Sequence, residues 1–333
     1  MSLSKKIFYT ACNALPMGLL KTISPDIYLP YHHTVSDESL EHICNLYSYK
    51  NINQFNDDLE FLGRNFKPID PTELVEVVKN ERPLPKNRFL LTFDDGFREC
   101  YTIIAPLLKA KGIPAIFFIN PAFIDNKKLF SRCKASLLLG KLYENAEDPA
   151  YVKIFIESFG GNNVKDVSFR IKASKTLDEN ILDDLAKKIG FSFDVYMEEH
   201  KPFLTSQQLS SLSKDGFTIG AHSWDHPYYP AMALEEQVEN TLASVNYIRS
   251  FNSHTCFSFP YSDADVKQEF FSQVTPHVDL LFGIQNQKKE LNNKTLHRFN
   301  AERPWQPLSR TFKGLMVFNA INKRRSAAIK RQN

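Results

Sequence analysis

Residues 88 to 97 contain the feature that most constrains the fold, a short apolar run that ends in two adjacent carboxylates. The run Phe89 to Phe93 is followed directly by Asp94, Asp95 and Gly96. An apolar run of this length, with prolines before it and glycine after it, is typical of a buried strand. Neighbouring carboxylates repel each other unless a cation or a proton lies between them. The segment therefore predicts a charged cleft at a strand end or, as the alternative, an ordinary Asp-Gly turn.

The segments around this run alternate between predicted strands and predicted helices. Residues 98–111 have apolar residues at helical spacing, and Gly112 is a suitable C-terminal cap. Residues 114–119 predict a second buried strand, so that strand, helix and strand form a unit typical of a parallel sheet. Four later segments repeat the strand pattern, with helical segments before or between them: 217–221, 256–259, 280–284 and 296–299. We therefore expect an α/β fold.

The 333 residues are predicted to form a single domain, 1–333, with two additions. Residues from about 125 to 202 lack strand signals and predict a mostly helical insertion. Residues 305–333 predict a C-terminal helix with a basic end. The basic side chains of that end are Lys323, Arg324, Arg325, Lys330 and Arg331. Such an end is usually a solvated surface, but it can also rest on anionic lipid.

Composition excludes several classes of function. The formal net charge of +3 is too small to indicate nucleic-acid binding. The five cysteines are widely spaced and form no Cys-x-x-Cys pair, which argues against a disulfide framework and against a cysteine-ligated zinc site. The apolar residues 7–20 are interrupted by polar residues and proline, and they lack the cleavage site of a signal peptide. We therefore expect a cytoplasmic protein, with peripheral membrane contact as an additional option.

A second group of polar residues follows the predicted strand at 217–221. The segment from His222 to Pro227 reads HSWDHP and contains two imidazoles four residues apart, His222 and His226. Two histidines and one carboxylate are a common ligand set for Zn²⁺ and similar divalent metals. Active sites of α/β barrels lie at the carboxyl ends of the strands. A single histidine is more often a packed core residue, but this pair favours a metal site.

The two motifs together resemble those of the polysaccharide deacetylases, the NodB-homology group also called carbohydrate esterase family 4. TFDDG at residues 92–96 resembles one motif of the family, and HSWDHP at residues 222–227 resembles its H-[ST]-x-x-H-P motif. The resemblance extends over residues 28–120 and 203–300, but not over the insertion. It implies a distorted (β/α) barrel of the polysaccharide deacetylase type, a TIM-like barrel, with a helical insertion.

The resemblance also implies roles for residues of both motifs. Asp95, His222 and His226 would hold a divalent metal, with Zn²⁺ as the expected ion and Co²⁺, Ni²⁺ or Mn²⁺ as alternatives. Asp94 would be the general base that accepts a proton from the attacking water. A divalent metal favours this step because it lowers the pKa of bound water toward about 7.

A third motif of the family, Arg-x-Pro-Tyr, is matched only in part by SFPY at residues 258–261. Pro260 and Tyr261 are present, and the resemblance implies that the backbone N–H of Tyr261 assists the oxyanion. The arginine of the motif is replaced by Ser258. Because that arginine orients the base in the family, another cation is expected to do so here, and Arg298 is a candidate.

Three more side chains are candidates for the catalytic cleft. His297 gives a short match to the last motif of the family and would protonate the leaving amine; the alternative is a loop histidine on the surface. His32 follows Tyr31 in a segment that resembles the start of many family members, and it would line the substrate cleft or pack inside the first strand. Trp224 lies between the two predicted metal-ligating histidines, which makes it a candidate substrate contact.

The predicted function is metal-dependent removal of N-acetyl groups from N-acetylhexosamine units of a polysaccharide or glycan intermediate. Acetate and a free amine would be the products. Three alternatives stay open: an O-acetyl esterase, a hydrolase of non-sugar amides, and a glycan-binding protein that has lost turnover because Ser258 replaces the family arginine. The expected partner is a polysaccharide or oligosaccharide, and no nucleic acid is expected. The sugar, the chain length and the oligomeric state are not predicted.

Overall fold

A computed structural model describes residues 3–24, 26–286, 290, 292–322, 329 and 331 of the chain. Its strands form one large sheet and one small sheet. The strands are β1 (Ile27–Tyr28), β2 (Pro30–His32), β3 (Lys67–Pro68), β4 (Arg88–Phe89), β5 (Leu91–Phe93), β6 (Ala115–Ile119), β7 (Thr218–Ala221), β8 (Cys256–Ser258), β9 (Leu280–Gly283), β10 (Thr295–His297) and β11 (Phe299–Asn300). The large sheet has the order β10-β9-β8-β7-β6-β5-β2-β11, and the small sheet has the order β1-β4-β3.

One interrupted strand brings the two edges of the large sheet together. β10 pairs with β9, and β11 pairs with β2, although only Arg298 separates β10 from β11 in the sequence. The predicted strand 296–299 is therefore divided, because its first half and its second half pair with different edges. All pairs in the sheet are parallel, so the carboxyl ends of the strands lie at one end of the barrel. The distorted (β/α) barrel expected from the sequence is confirmed.

Helices cover the outside of the barrel. They are α1 (Leu3–Asn13), α2 (Met17–Ile23), α3 (Glu41–Cys44), α4 (Ile52–Asn65), α5 (Pro71–Lys79), α6 (Ala105–Ala110), α7 (Ser131–Glu144), α8 (Pro149–Phe159), α9 (Val164–Ala173), α10 (Glu179–Lys188), α11 (Phe193–His200), α12 (Ser206–Lys214), α13 (Leu234–Ile248), α14 (Gln268–Val274) and α15 (Leu308–Asn322). All five residues of β6 and all four of β9 are buried, as expected for parallel strands with both faces covered. Helices α7 to α11 lie in the segment predicted as an insertion, and they contribute to an apolar cluster that also includes Leu40, Ile43 and Phe97.

Local sequence signals explain where several helices begin. The side chain of Thr205 accepts a hydrogen bond from the backbone of Gln208, whose side chain in turn accepts one from the backbone of Thr205, so that a capping box starts α12. The helix predicted at 98–111 is instead divided into a π-helical turn, Cys100–Ile104, and α6. Pro106 lies in the first turn of α6, and because it has no backbone N–H it cannot bond to a carbonyl of the preceding π-helical turn, which accounts for the division.

The structure bears on three further expectations, which concern the membrane, the cysteines and the basic C-terminal end. In the part of the chain that the structure describes, no helix has the length and apolar character needed to cross a membrane. The five cysteines are all free thiols. Of the predicted basic end, Lys323, Arg324, Arg325 and Lys330 lie outside the described residues. Arg331 is described, and it forms ion pairs with Asp263 and Glu290.

Candidate active site at the carboxyl end of the barrel

The three predicted metal ligands converge just beyond the ends of β5 and β7. One ligand atom from each of Asp95, His222 and His226 lies within 4.8 Å of the others. Asp95 Oδ1 is 3.4 Å from Nε2 of each histidine. This oxygen is buried and has no hydrogen-bond partner among the described residues. A buried carboxylate oxygen that faces two imidazole nitrogens fits a divalent cation, so the residues present suit the metal that the sequence predicts.

Unusual backbone conformations aim these side chains into the cleft. Asp95 has φ 71°, Gly96 has φ 66° and His226 has φ 58°, values in the left-handed region that side chains rarely adopt. The chain leaves the extended conformation at Asp95, so the two carboxylates do not point to opposite faces as they would within a strand. Gly96 also lies so close to Ile119 that a Cβ would be 3.1 Å from its Cγ2 atom. The glycine of the TFDDG motif is therefore required by both conformation and space.

Hydrogen bonding and burial prepare the two histidines as metal ligands. Nδ1–H of His222 donates to the carbonyl oxygen of Ser258 over 2.9 Å, which leaves Nε2 available toward Asp95. The carboxylate of Asp225, which lies between the two histidines in the sequence, accepts a hydrogen bond from Asn240. Burial lowers the pKa of His226 to about 3. The imidazole of His226 is therefore neutral at pH 7 and can offer a lone pair to a metal.

Arg298 holds the predicted base, Asp94, with two parallel hydrogen bonds. Nη1 lies 2.6 Å from Asp94 Oδ1, and Nη2 lies 2.8 Å from Asp94 Oδ2. The guanidinium also donates to the hydroxyls of Thr92 and Ser258. Burial alone would raise the pKa of Asp94, but the charge of Arg298 lowers it below its ordinary value. Arg298 thus orients Asp94, which is the role that the resemblance assigns to the arginine replaced by Ser258. The hydroxyl of Ser258 accepts a hydrogen bond from Arg298.

Three of the remaining candidates lie beside the metal ligands or on the surface near them. The ring of Tyr261 is 4.7 Å from that of His226 between centroids, and Pro260 next to it is buried. No described residue accepts a hydrogen bond from the backbone N–H of Tyr261. Trp224 is exposed at the surface and makes an edge contact with Tyr247. Tyr261 therefore adjoins the cluster directly, whereas Trp224 lies at the outer surface.

His32 and His297 lie in environments that differ from those expected for cleft residues. His32 is completely buried between Phe93 and Phe55, and neither ring nitrogen has a partner among the described residues. The packing alternative for His32 therefore fits the structure, and the cleft-lining role does not.

His297 belongs to a separate buried cluster with Asp263 and Glu290. Its Nε2 is 3.0 Å from Glu290 Oε1, and its Nδ1 accepts a hydrogen bond from the backbone N–H of Gln285. Both nitrogens are thus engaged, and the side chain is fully buried rather than on a surface loop. This geometry argues against His297 as a proton donor to substrate. Arg331 already supplies a cation to both carboxylates of this cluster.

His33 is a site residue that the sequence reasoning did not identify. Its Nδ1 is 2.7 Å from Oε2 of Glu302, and its side chain is 23% exposed. Burial alone would lower the pKa of His33, but Glu302, with smaller effects from Asp95 and Asp94, raises it to about 10. The available signal was the histidine doublet at a strand end, since alternation directs one ring into the core and the next one outward.

The insertion contributes to the same site. Phe130, at the start of α7, packs against the ring of His226 with centroids 4.5 Å apart. Its other contacts are with the apolar cluster of the insertion, including Phe123. The insertion therefore does more than pack beside the barrel, because it supports one side of the metal cluster.

Comparison with known protein families points to the same residues. The family model described as polysaccharide deacetylase matches residues 81–144 and 168–271, which together make up half of the chain. The matched segments contain both carboxylates of the TFDDG motif, both predicted metal-ligating histidines and Tyr261.

Individual relatives are more distant. Poly-beta-1,6-N-acetyl-D-glucosamine N-deacetylase of Escherichia coli K12 is 32% identical over 60 residues, which are 18% of this chain and 9% of that protein. The chain thus spans about a tenth of the length of this curated relative. Among solved structures, the Streptococcus pyogenes deacetylase PplD in complex with acetate has a TM-score of 0.55 and 14% identity, over 88% of this chain and 99% of that one. IcaB from Ammonifex degensii has a TM-score of 0.54 and 14% identity, and the match covers 87% of this chain and 97% of that one. At this identity the two structures show a shared fold.

Proposed function

The chain belongs to the polysaccharide deacetylase family, and we propose that it is a metal-dependent hydrolase that removes N-acetyl groups from N-acetylhexosamine units of a polysaccharide or glycan intermediate. The observation that carries this proposal is the convergence of Asp95, His222 and His226 beside an ionised Asp94 that is clamped by Arg298. A relative named for deacetylating poly-N-acetylglucosamine supports the choice of an N-acetylhexosamine substrate.

Asp95, His222 and His226 would hold the metal, for which we propose Zn²⁺, with Co²⁺, Ni²⁺ or Mn²⁺ as substitutes. Two neutral imidazoles and one carboxylate are the donor set of many catalytic zinc sites. The ion would supply positive charge that acidifies water and polarises the acetyl carbonyl group. The hydrogen bond from His222 to the carbonyl of Ser258 fixes the ring that would bind it.

Asp94 is the proposed general base for the attacking water. Its carboxylate is ionised at neutral pH, and the bidentate contact with Arg298 fixes its orientation. The same contact limits the basicity of Asp94, so proton transfer depends on water that is already acidified. The backbone N–H of Tyr261 would donate a hydrogen bond to the oxyanion.

His33 is the proposed proton donor to the leaving amine. Its imidazole is held protonated by Glu302, and its side chain is partly exposed. A nearby divalent cation would lower its pKa from about 10, closer to the pH at which a general acid is effective. His297 was the sequence-based candidate for this role, but both of its nitrogens are engaged by Glu290 and Gln285.

Acetate release from N-acetylglucosamine oligomers, with added Zn²⁺ or Co²⁺, tests the proposal directly. Asp94→Asn should abolish turnover and leave metal affinity nearly unchanged, because Asp94 is not a proposed ligand. Asp225→Asn is a matched control, since Asn240 is the one hydrogen-bond partner of this exposed carboxylate among the described residues, and its variant should stay active. Full activity of Asp94→Asn would refute the base assignment.

The same assay separates the alternatives left open by the sequence. Release of acetate from O-acetylated sugars but not from N-acetylated ones would indicate an esterase. The argument for a protein without turnover was that Ser258 replaces the arginine of the family. Arg298 makes up for that replacement because it binds Asp94 with two hydrogen bonds. Binding of oligomers without any acetate release would nevertheless identify a glycan-binding protein and refute the proposed hydrolase.

A further inference from the structure

The insertion places a lysine beside a series of aromatic rings that leads to the metal cluster. Lys175 lies between α9 and α10, and its ammonium nitrogen is 4.7 Å from the centroid of the Tyr228 ring and 3.4 Å from the Tyr228 hydroxyl oxygen. The ring of Tyr228 packs against the ring of Tyr261 with centroids 5.8 Å apart, and the ring of Tyr261 packs against His226 at 4.7 Å. Direct contacts therefore join Lys175 to a predicted metal ligand.

The outer end of this series is open to solvent and carries a positive charge. Lys175 is exposed, and Tyr228 is half-buried. In the part of the chain that the structure describes, no carboxylate forms an ion pair with Lys175, whose contacts are with Tyr228. Elsewhere in the insertion, Lys134 has two carboxylate partners, Glu179 and Asp183. The ammonium of Lys175 is thus available to a group of a bound ligand.

The turn that carries Lys175 is held in place by Arg132. The guanidinium of Arg132, in the first turn of α7, donates to the carbonyl oxygens of Ile171 at 3.4 Å and Ser174 at 2.9 Å. These carbonyls lie at the C-terminal end of α9, where a positive charge is favourable. Phe130, two residues before Arg132, packs against the ring of His226. The same part of α7 therefore contacts both a metal ligand and the turn with Lys175.

Two hydrogen-bond donors lie close together at the outer end of the aromatic series. The ammonium of Lys175 and the hydroxyl of Tyr228 are near enough to donate to one acceptor group. A carboxylate or a phosphate suits such a pair, because it has several acceptor oxygens and a charge opposite to that of lysine. We propose that Lys175 and Tyr228 bind a carboxylate or phosphate group on the sugar unit next to the one that is deacetylated.

The position of the pair indicates which sugar unit carries the anionic group. The ring of Tyr261 lies between Tyr228 and His226. When the acetyl group is at the predicted metal ligands, the pair is thus one aromatic side chain farther out, a separation that a neighbouring sugar ring can span. The inference rests on the proposed deacetylase function and deepens it, because it names the substrate class as an acidic N-acetylated glycan.

Three N-acetylglucosamine oligomers of equal length test this inference with the full chain loaded with Zn²⁺. One oligomer is unmodified, one carries 6-carboxylates and one carries 6-phosphates. We expect KM for acetate release to be about three- to tenfold lower for a charged oligomer than for the unmodified one, because the contact is a charge-assisted hydrogen bond. A lower KM for the carboxylated oligomer identifies a uronate, and a lower KM for the phosphorylated oligomer identifies a phosphate. Equal KM values for all three would overturn the proposal.

Substitutions of the lysine show whether it causes the preference. Lys175→Gln should raise KM for the charged oligomer to that of the unmodified one, whereas Lys175→Arg should keep the preference because the positive charge remains. Lys172→Gln is the matched control, since Lys172 is also exposed and its ammonium lies over the ring of Tyr143. This control should keep the preference of the wild type. A preference that survives in Lys175→Gln would overturn the proposal.

The dependence on salt is a further readout that a merely structural role of Lys175 would not produce. The preference should weaken as NaCl is raised toward about 1 M, where the screening length falls to about 3 Å. A preference that does not change with salt would overturn the ionic contact. Failure of the inference and failure of the proposed function are distinguishable. Equal hydrolysis of all three oligomers would refute only the acidic substrate class, whereas no acetate release from any of them would refute the hydrolase itself.

Discussion

The most instructive residue is Arg298, because it performs a task that the family assigns to a different strand. An isolated buried charge is costly, and a guanidinium that loses its carboxylate would leave Asp94 unpaired as well. The four hydrogen bonds of Arg298 to Asp94, Thr92 and Ser258 indicate that these side chains form one unit. The geometry of this unit explains how Asp94 can be ionised and oriented although Ser258 replaces the arginine of the third motif.

Arg298→Met should therefore reduce kcat/KM for acetate release by about 10²- to 10⁴-fold, the usual contribution of a positioned general base. Metal affinity should change little, because Arg298 contacts none of the three predicted ligands. The measurement is kcat/KM together with a Zn²⁺ titration of the same preparation. Loss of metal binding in step with activity would instead indicate a general collapse of the site.

The serine at position 258 offers a second test of the same idea. Ser258→Arg combined with Arg298→Ser moves the guanidinium to the position that the family uses. We expect the double variant to recover at least about tenfold of the activity lost in Arg298→Ser alone, because residues that share one contact do not behave additively. The comparison requires kcat/KM for both variants. A double variant no better than Arg298→Ser would show that β8 cannot present the charge to Asp94.

His33 makes a prediction about pH and stability. Its pKa in the folded chain is about 10, raised above the usual 6.5 by Glu302, so the ion pair contributes fully to stability below about pH 6.5. That contribution should be lost as the pH rises toward 10. In the metal-free chain, wild type should exceed His33→Asn in unfolding free energy by on the order of 2 kcal/mol at pH 6, and by much less at pH 10. Urea unfolding at several pH values measures this, and a difference independent of pH would refute the ion pair.

Residue types and spacing were sufficient to find the carboxylate doublet and the histidine pair, because their motifs are local. They made Arg298 a candidate only through the arginine missing at position 258, and they did not identify His33. The partner of Arg298 lies 204 residues away and that of His33 lies 269 residues away. Short patterns also cannot tell an inward from an outward histidine at the end of a strand. This is why His32 was selected as a site candidate although His33 carries the charged contact.

At the scale of elements, the first turn of α7 is a part of the site. Phe130 contacts both the ring of His226 and the apolar cluster of the insertion. Phe130→Ala should destabilise the fold by about 3–5 kcal/mol and also weaken Zn²⁺ binding by about tenfold, because the ligand ring loses its support. Urea unfolding and a Zn²⁺ titration measure the two effects.

Leu138→Ala is the matched control for Phe130, because Leu138 is buried in the same helix and the same cluster. It should cost about 2–5 kcal/mol of stability. Its metal affinity should stay at the wild-type value, since Leu138 lies about two helical turns beyond Phe130 along α7. Equal losses of metal affinity in both variants would mean that the insertion acts only through global stability.

The sequence predicted whether a segment is a helix or a strand where its apolar residues recur at a clear period. It did not predict where each strand begins and ends. The run Phe89 to Phe93 was predicted as one strand, but Phe89 pairs in the small sheet and Leu91 to Phe93 pair in the barrel. The strand 296–299 is divided for a similar reason, since its two halves pair with different edges. Both divisions depend on partners far away in the sequence, which no local window contains.

For the whole molecule, the barrel brings both motifs to one end because every strand of the large sheet is parallel. The parallel sheet could be anticipated from the alternation of strands and helices. The contact between the insertion and His226 could not be anticipated, because the insertion carries no motif. The contact depends on how the apolar cluster that contains Phe130 packs against the barrel. Metal binding should therefore involve both parts of the chain.

Metal binding should also stabilise the whole molecule, and the second carboxylate cluster makes the test specific. A ligand that binds only the folded state at 100 times its Kd adds about 2.7 kcal/mol to the unfolding free energy. Zn²⁺ should therefore raise the melting temperature of the wild type by several degrees and have no such effect on Asp95→Asn. Asp263→Asn should respond like the wild type, because Arg331 already neutralises the cluster of Asp263, Glu290 and His297. The measurement is thermal unfolding with and without Zn²⁺. A response that persists in Asp95→Asn but disappears in Asp263→Asn would place the ion at the second cluster and refute the ligand assignment.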